Sequence, residues 1–110
     1  MPNVKLFVDG GLLADCGGAL DGVMSPLRDL LCDRLKVGPQ AVHIVILPVR
    51  GLPDQPPVNL ELHILPRPER TQALIRDLCA AMRDLVSGVT ARPTAVRCAM
   101  LDPATYVALK

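Results

Sequence analysis

PNVKLFV, residues 2–8, opens the chain, and PPVNLEL, residues 56–62, repeats its pattern 54 positions later. In both segments apolar residues alternate along the chain, which is typical of a β-strand with one buried face. Identical residues recur at the same spacing through the rest of the two halves. They are Pro2 and Pro56, Val4 and Val58, Leu6 and Leu60, Ala19 and Ala73, Leu20 and Leu74, Leu31 and Leu85, Pro39 and Pro93, Ala41 and Ala95, Val42 and Val96, and Leu47 and Leu101. This order predicts a tandem duplication with halves at about 2–53 and 56–107, within a single domain of residues 1–110.

Each half is predicted to form a strand, a helix and a second strand. The first strand spans about residues 3–8 and is followed by a flexible connection at Asp9-Gly10-Gly11. Apolar residues at three- and four-residue spacing predict a helix over roughly residues 18–36, which stops at Gly38-Pro39. The second strand, residues 41–47, is apolar at almost every position, which indicates burial on both of its faces.

The second half repeats this plan. Alternating apolar and polar residues predict a strand over residues 58–65. A helix is expected over roughly residues 69–87, closed by Gly88, and a fourth strand over residues 94–101. After a turn, the tail at residues 106–110 is a candidate fifth strand.

These elements predict an α+β fold with a four-stranded mixed sheet. Strand-helix-strand connections within one sheet are right-handed, so both helices are expected on the same face. The opposite face would then carry His43, Val45 and Leu47 of the second strand, and a large exposed apolar sheet surface favours association. We therefore expect a homo-oligomer, stabilised by burial of this face at about 25 cal/mol per Å² of apolar surface.

Charge and cysteine content exclude several classes of function. The net charge is +1 and no basic run is present, so we expect neither nucleic-acid binding nor binding to an anionic membrane. The apolar runs are too short to span a membrane and no basic leader precedes them, which predicts a cytoplasmic protein. The cysteines are dispersed without a C-x-x-C pair, so they are expected to be reduced core residues rather than metal ligands. They are Cys16, Cys32, Cys79 and Cys98.

Removal of Met1 would leave Pro2 with a secondary amine at the start of the first strand. Such an amine can act as a general base when it is neutral. An unperturbed α-amino group titrates near ~8 and a secondary amine is more basic, so apolar walls and nearby cations must lower its pKa. A guanidinium group beside this amine would lower that pKa and could also hold a substrate carboxylate.

Arg67 and Arg70 are candidates for this carboxylate contact, because the loop after the third strand should lie at the same end of the sheet as the amino terminus. Arg50 is a third candidate. A solvated position on the surface is the alternative for Arg67 and Arg70. His43 and His63 lie within strand patterns, where a packed or interface position is the alternative to catalysis.

An amino-terminal proline, a repeated strand-helix-strand unit and an open sheet face together resemble the tautomerase superfamily, whose larger members are trimers of duplicated β-α-β chains. Within it the chain is most similar to the 5-carboxymethyl-2-hydroxymuconate isomerases. The shared features are Met1-Pro2 opening a strand, Val42-His43 starting the second, Arg70 starting the second helix, and residues 107–110 closing the chain. The resemblance implies a homotrimeric isomerase of aromatic-compound catabolism that needs no cofactor. It also implies Pro2 as the base and an unsaturated 2-hydroxy or 2-oxo (di)carboxylic acid as the substrate.

The chain departs from these isomerases in two ways, which leave a second branch and two non-catalytic functions open. The isomerases carry an arginine in the residues leading into the second strand, where this chain has Pro39-Gln40-Ala41. Its aromatic rings are those of Phe7 and Tyr106, and Tyr106 of the partner subunit is a candidate for an aromatic wall. Arg67-Pro68-Glu69-Arg70 also resembles the arginine-containing loop of malonate semialdehyde decarboxylases, which would use the protonated amine. The same element order would also suit a ferredoxin-like binding module or a catalytically silent tautomerase.

Overall fold

Four strands form one mixed sheet, and two long helices connect them in pairs. The computed structural model describes residues 1–110. In chain order its elements are β1 (Asn3–Asp9), α1 (Gly10–Leu35), a 3₁₀-helix (Pro39–Ala41), β2 (His43–Val49), β3 (Val58–Ile64), α2 (Gln72–Thr90) and β4 (Thr94–Met100). β1 is parallel to β2 and antiparallel to β3, and β3 is parallel to β4, which gives the order β2-β1-β3-β4. The predicted α+β fold, with a four-stranded mixed sheet built from two β-α-β units, is therefore confirmed.

The helices cover one face of the sheet. Val4, Leu6 and Val8 of β1 have no exposed surface, and alternate residues of β3 are buried in the same way because successive side chains of a strand point to opposite faces. The helices complete the core with Leu12, Leu20, Val23, Leu27, Leu31 and Leu35 of α1 and with Leu78, Met82 and Val86 of α2. Three residues predicted for the apolar helix stripes are only half-buried: Met24, Leu74 and Leu85.

α1 begins eight residues earlier than predicted. The prediction of a flexible connection at residues 9–11 is therefore wrong. The Asp9 side chain accepts hydrogen bonds from the backbone N–H groups of Gly11 at 3.1 Å and Leu12 at 3.3 Å. These bonds satisfy amides that have no partner inside a helix, and they start α1 directly at the end of β1. The helix ends at Leu35, where Lys36 adopts a left-handed conformation with φ 55°.

α2 is displaced toward the carboxyl terminus relative to its predicted bounds. The Thr71 side chain caps it by accepting a hydrogen bond from Leu74 N at 3.2 Å, and residues 66–70 stay outside the helix. The helix continues through Gly88 to Thr90 and ends at Ala91, which takes the left-handed conformation with φ 56°. The prediction that Gly88 closes this helix is therefore wrong.

The ends of the strands and the tail also differ from their predicted form. β2 starts at His43 because residues 39–41 form the 3₁₀-helix, and it runs on to Val49. The tail does not form a fifth strand. Tyr106 N donates instead to Asp102 O at 2.9 Å, which turns the carboxyl terminus back toward the start of β1.

The open face of the sheet is mixed in character. Across its middle, Val45, Lys5, Glu61 and Arg97 lie side by side on β2, β1, β3 and β4. Its larger apolar residues lie on β2 and the adjoining part of β1: Val45, Leu47, Val49 and Phe7. The open face was predicted to be apolar. This is correct only on β2 and the adjoining part of β1, because Lys5, Glu61 and Arg97 place charges on the rest of the face.

The sequence also predicted that no segment spans a membrane and that the cysteines are not metal ligands. Neither α1 nor α2 combines the length and the apolar character that a membrane span needs. The four cysteines are half-buried and unpaired, and no three His, Cys, Asp or Glu residues lie together as a metal site would require. Burial raises the pKa of the Cys98 thiol to about 11 and also raises the pKa of Cys79, so both are protonated at neutral pH.

Candidate active site

The amino terminus is fixed at one end of the sheet by the first residue of β2. Pro2 is buried, and its carbonyl oxygen accepts a hydrogen bond from His43 N at 2.9 Å. This bond extends the parallel pairing of β1 and β2 by one step beyond β1. Met1 remains 40% exposed. The Pro2 nitrogen therefore lies at the surface end of an ordered strand rather than in a mobile terminus.

A cavity of about 340 Å³ opens at Pro2. The carboxyl-terminal tail forms one of its walls, and the Lys110 ammonium group contacts the Met1 sulfur there. The residues lining the cavity are Met1, Pro2, Asn3, His43, Tyr106, Leu109 and Lys110. Sequence reasoning did not find Lys110 or Leu109, since the tail was expected to extend the sheet. It expected Tyr106 from a partner subunit, whereas Tyr106 of the same chain lines this cavity.

Positive charges and burial act together on the amino terminus. The pKa of the Met1 amino group is lowered, chiefly by burial and then by the charges of Lys110, Arg70 and Arg67. Pro2 follows Met1 directly and lines the same cavity. Because these groups disfavour a protonated amine, this end of the sheet favours a neutral one.

Arg70 is a buried arginine that holds the fold together at this end. It is 6% exposed, and its Nη1 donates to the Leu65 carbonyl at 2.6 Å while its Nη2 donates to the Leu35 carbonyl at 3.5 Å. Its Nε is buried without a hydrogen-bond partner. Burial, and then the charge of Arg67, lower the pKa of Arg70, but an arginine remains charged under all ordinary conditions. Nη1 and Nη2 each keep a second N–H group beyond these two hydrogen bonds.

Arg67 and Arg50 lie at opposite ends of the sheet. Arg67 is exposed on the β3–α2 loop, at the same end as the amino terminus, and it makes no ion pair. Arg50 follows β2, which is parallel to β1, so it lies at the end remote from Pro2 and lines a separate cavity. A single chain therefore brings Pro2, Arg67 and Arg70 together and does not bring Arg50 to them.

The two histidines flank the first residue of β1. His43 and His63 are the register partners of Asn3 on β2 and β3, so all three lie in one row of the open face. His43 is exposed and lines the cavity at Pro2, whereas His63 is half-buried and does not. His43 is thus within reach of a molecule bound in this cavity.

Comparison with known proteins gives structural neighbours only, because no protein-family model and no curated protein matches the chain. A structure of N1, a member of the cis-3-chloroacrylic acid dehalogenase family, has a TM-score of 0.72 at 16% identity and covers 96% of this chain and 79% of its own. The asymmetric trimer of wild-type fused 4-OT has a TM-score of 0.73 at 16% identity and covers 96% and 91%. A macrophage migration inhibitory factor-like protein from Entamoeba histolytica has a TM-score of 0.72 at 5% identity and covers 97% of this chain and 94% of its own. These proteins are members of the tautomerase superfamily.

The chain has a tautomerase-like fold. Within this fold the amino terminus, the β3–α2 loop and the carboxyl-terminal tail meet at one end of the sheet, beside the cavity that Pro2 lines. An amine with a lowered pKa, adjacent to cationic side chains, can accept a proton from an anionic molecule held by those cations. In this chain the amino terminus, whose amine has a lowered pKa, and the positive charges of Lys110, Arg70 and Arg67 thus lie at one end of the sheet.

Proposed function

We propose that the chain, once Met1 is removed, is a tautomerase that uses Pro2 as a general base. Its substrate would be an unsaturated 2-hydroxy or 2-oxo (di)carboxylic acid of the 5-carboxymethyl-2-hydroxymuconate type. The observation that carries the proposal is the position of the amino terminus: Pro2 lines a cavity, and burial, Lys110, Arg70 and Arg67 all lower the pKa of the Met1 amine beside it. The tautomerase-like fold of the chain agrees with this chemistry. Aromatic-compound catabolism and a cytoplasmic location stay predictions.

The reaction needs a proton transfer and nothing else. The neutral Pro2 nitrogen takes a proton from the enol hydroxyl or from the carbon beside the carbonyl, and becomes a secondary ammonium. The double bond shifts along the conjugated system, and the ammonium returns the proton to another carbon. In this scheme Lys110, which lines the cavity, and Arg67 would hold the carboxylate through charge-assisted hydrogen bonds, and Arg70 would add positive charge from the same end of the sheet. No electrons are gained or lost, so no cofactor enters this scheme.

A malonate semialdehyde decarboxylase-like reaction at the same site is the second candidate. The β3–α2 loop with Arg67 and Arg70 lies at the amino terminus, as that reaction requires. Decarboxylation would use a protonated amine, however, whereas the burial and positive charges that lower the pKa of the Met1 amine would also act against protonation of a Pro2 amine. The structure therefore favours the isomerase. A binding module would show no dependence of any activity on Pro2.

The experiment that tests this function is a turnover assay with two enol acids, phenylenolpyruvate and 2-hydroxymuconate. Mass determination first establishes that the protein begins at Pro2. We expect loss of the enol absorbance of at least one acid faster than in buffer alone. A protein with a free Pro2 amine that accelerates neither acid would contradict the proposal, and release of carbon dioxide from a 3-oxo acid would favour the decarboxylase.

Substitution of Lys110 by methionine should move the pH dependence of catalysis. The general base works when neutral, so kcat/KM rises with pH through the pKa of the amine. Lys110 lowers the pKa of the Met1 amine, and we expect the same effect on a Pro2 amine, so Lys110→Met should raise the pKa of the base and shift the rising limb to higher pH. A pH–rate profile of the variant measures the shift. Arg76→Met, which removes a charge from the exposed face of α2, is the control and should leave the limb in place.

We also propose that the chain is a homo-oligomer, specifically a trimer, with the open face of the sheet as its interface. The fused 4-OT neighbour is an asymmetric trimer, and Val45 is 43% exposed in the apolar part of the open face of a single chain. Val45→Asp would place a charge in the middle of that interface, at a large desolvation cost. We expect it to convert the oligomer to a monomer in analytical ultracentrifugation. Leu52→Asp, in the exposed β2–β3 loop, should keep the oligomer, and a monomeric parent protein at micromolar concentration would contradict the proposal.

A further inference from the structure

A second cavity, of about 310 Å³, lies at the end of the sheet opposite Pro2. The β2–β3 loop, residues 50–57, forms much of its wall. Arg50 enters it from the start of this loop, and Arg92 enters it from the connection between α2 and β4. Two guanidinium groups from separate segments of the chain therefore line one cavity.

Neither arginine has a counter-ion in the protein. The ion pairs of the chain are Arg34 with Asp33 and Arg83 with Asp84, and neither the Arg50 nor the Arg92 side chain donates a hydrogen bond. Asp9 is the one acidic residue that lines the cavity, and its Oδ2 already accepts the Gly11 and Leu12 amides at the start of α1. The two arginine charges of this cavity thus exceed the single carboxylate charge among its lining residues.

The backbone around the two arginines is held in place. Asp9 N donates to the Pro57 carbonyl at 2.8 Å, and Asn59 Nδ2 donates to the Pro56 carbonyl at 3.1 Å, which ties the end of the loop to β1 and β3. The prolines of the loop also fix its φ angles. On the other side, Arg92 N donates to Thr90 Oγ1 at 3.2 Å directly after the left-handed residue that ends α2. A site on such a frame loses little conformational freedom when it binds a ligand.

We propose that this cavity binds a short-chain dicarboxylate, with one carboxylate on Arg50 and the other on Arg92. Planar guanidinium groups bind carboxylates with two parallel hydrogen bonds, so two such groups from separate segments of the chain match a ligand with two carboxylates. The side-chain amide of Gln55 lines the same cavity and adds a polar group to its wall. This site does not use Pro2, and so it does not rest on the tautomerase proposal.

Calorimetric titration of the intact protein with succinate, at low ionic strength, tests this site. We expect saturable binding that is tighter than that of propionate or inorganic phosphate, because each of those probes lacks a second carboxylate. Arg50→Gln and Arg92→Gln should each weaken succinate binding by tenfold or more. Arg28→Gln, an exposed arginine on α1 away from this cavity, is the control and should change the affinity by less than twofold.

Binding of succinate in the cationic cavity at Pro2 must be distinguished from binding between Arg50 and Arg92. The Lys110→Gln variant makes this distinction. If succinate binds between Arg50 and Arg92, Lys110→Gln leaves its affinity unchanged, and the succinate-induced NMR shifts centre on residues 50–55 and 91–92. Absence of saturable binding, full affinity in the Arg50→Gln and Arg92→Gln double variant, or loss of affinity in Lys110→Gln alone would each overturn the proposal. Phosphate binding tighter than succinate would overturn the assignment to dicarboxylates.

Discussion

A single glycine inserted between Met1 and Pro2 is expected to reduce the turnover of an enol acid by about 10² to 10⁴, the range that general base catalysis contributes. After removal of Met1, the inserted glycine becomes the first residue and the Pro2 nitrogen becomes part of an amide. An amide nitrogen cannot accept the substrate proton. Pro2 is otherwise unchanged, so its bond to His43 N can persist. The measurement is kcat/KM with phenylenolpyruvate, on protein whose amino terminus is verified by mass.

Pro2→Ala is the matched comparison, because it keeps a free amino group at the same position. A primary amine held in the same surroundings should retain more activity than the glycine-extended protein, which has no base at that point. The glycine-extended protein should keep the thermal unfolding midpoint of the parent because it retains every buried side chain, whereas Pro2→Ala trims a buried ring and should lower the midpoint. Equal rates in all three proteins would exclude Pro2 as the base, whatever reaction the protein catalyses.

The sheet and its two helices could be predicted because burial imposes a period on the sequence. Alternation at Val4, Leu6 and Val8 gives one buried face, and the stripe through Leu27, Leu31 and Leu35 gives the packed side of α1. The parallel and antiparallel pairing followed from the order of the elements and from right-handed crossovers. These properties depend on many residues at once and tolerate local exceptions.

The ends of the helices depend on single contacts and were predicted less well. Asp9-Gly10-Gly11 has the composition of a turn, yet one carboxylate oxygen bound to two amides makes it the start of α1. Both helices end in left-handed residues that are not glycine, Lys36 and Ala91, so the usual glycine signal is missing. A composition rule cannot detect such ends, because the deciding contact is a geometry rather than a residue type.

The candidate site could also be predicted only in part. The common end of Pro2 and the β3–α2 loop could be predicted from strand direction alone. The approach of Lys110 could not, because it depends on how the tail folds back after β4. Nor could the burial of Arg70, since arginines in loops are mostly exposed and its partner Leu35 is 35 residues away in the sequence.

Arg70→Met is expected to destabilise the protein by about 2 to 4 kcal/mol, the range for losing two hydrogen bonds from a charged donor to buried acceptors. Methionine keeps much of the apolar stem of the side chain, so the loss is mainly that of the bonds to the Leu65 and Leu35 carbonyls. The second of these connects the last residue of α1 to the segment before α2. Urea unfolding at a fixed protein concentration measures the change, since an oligomer's stability depends on concentration.

Arg67→Met is the control on the same loop, and an exposed arginine without partners should change the free energy of unfolding by less than about 0.5 kcal/mol. Equal destabilisation by the two substitutions would contradict the structural role of Arg70.

Arg70→Lys then separates the two effects of this residue on the chain. It keeps the positive charge but cannot reproduce the planar guanidinium that reaches both carbonyls, so stability should fall while the pKa of the amino-terminal amine stays low. Arg70→Met loses both the positive charge and the contacts with the two carbonyls. Its pH–rate profile should therefore move to higher pH in addition to the loss of stability. A lysine variant that shifts the profile as far as the methionine variant would show that Arg70 acts on the amine through the fold rather than through its charge.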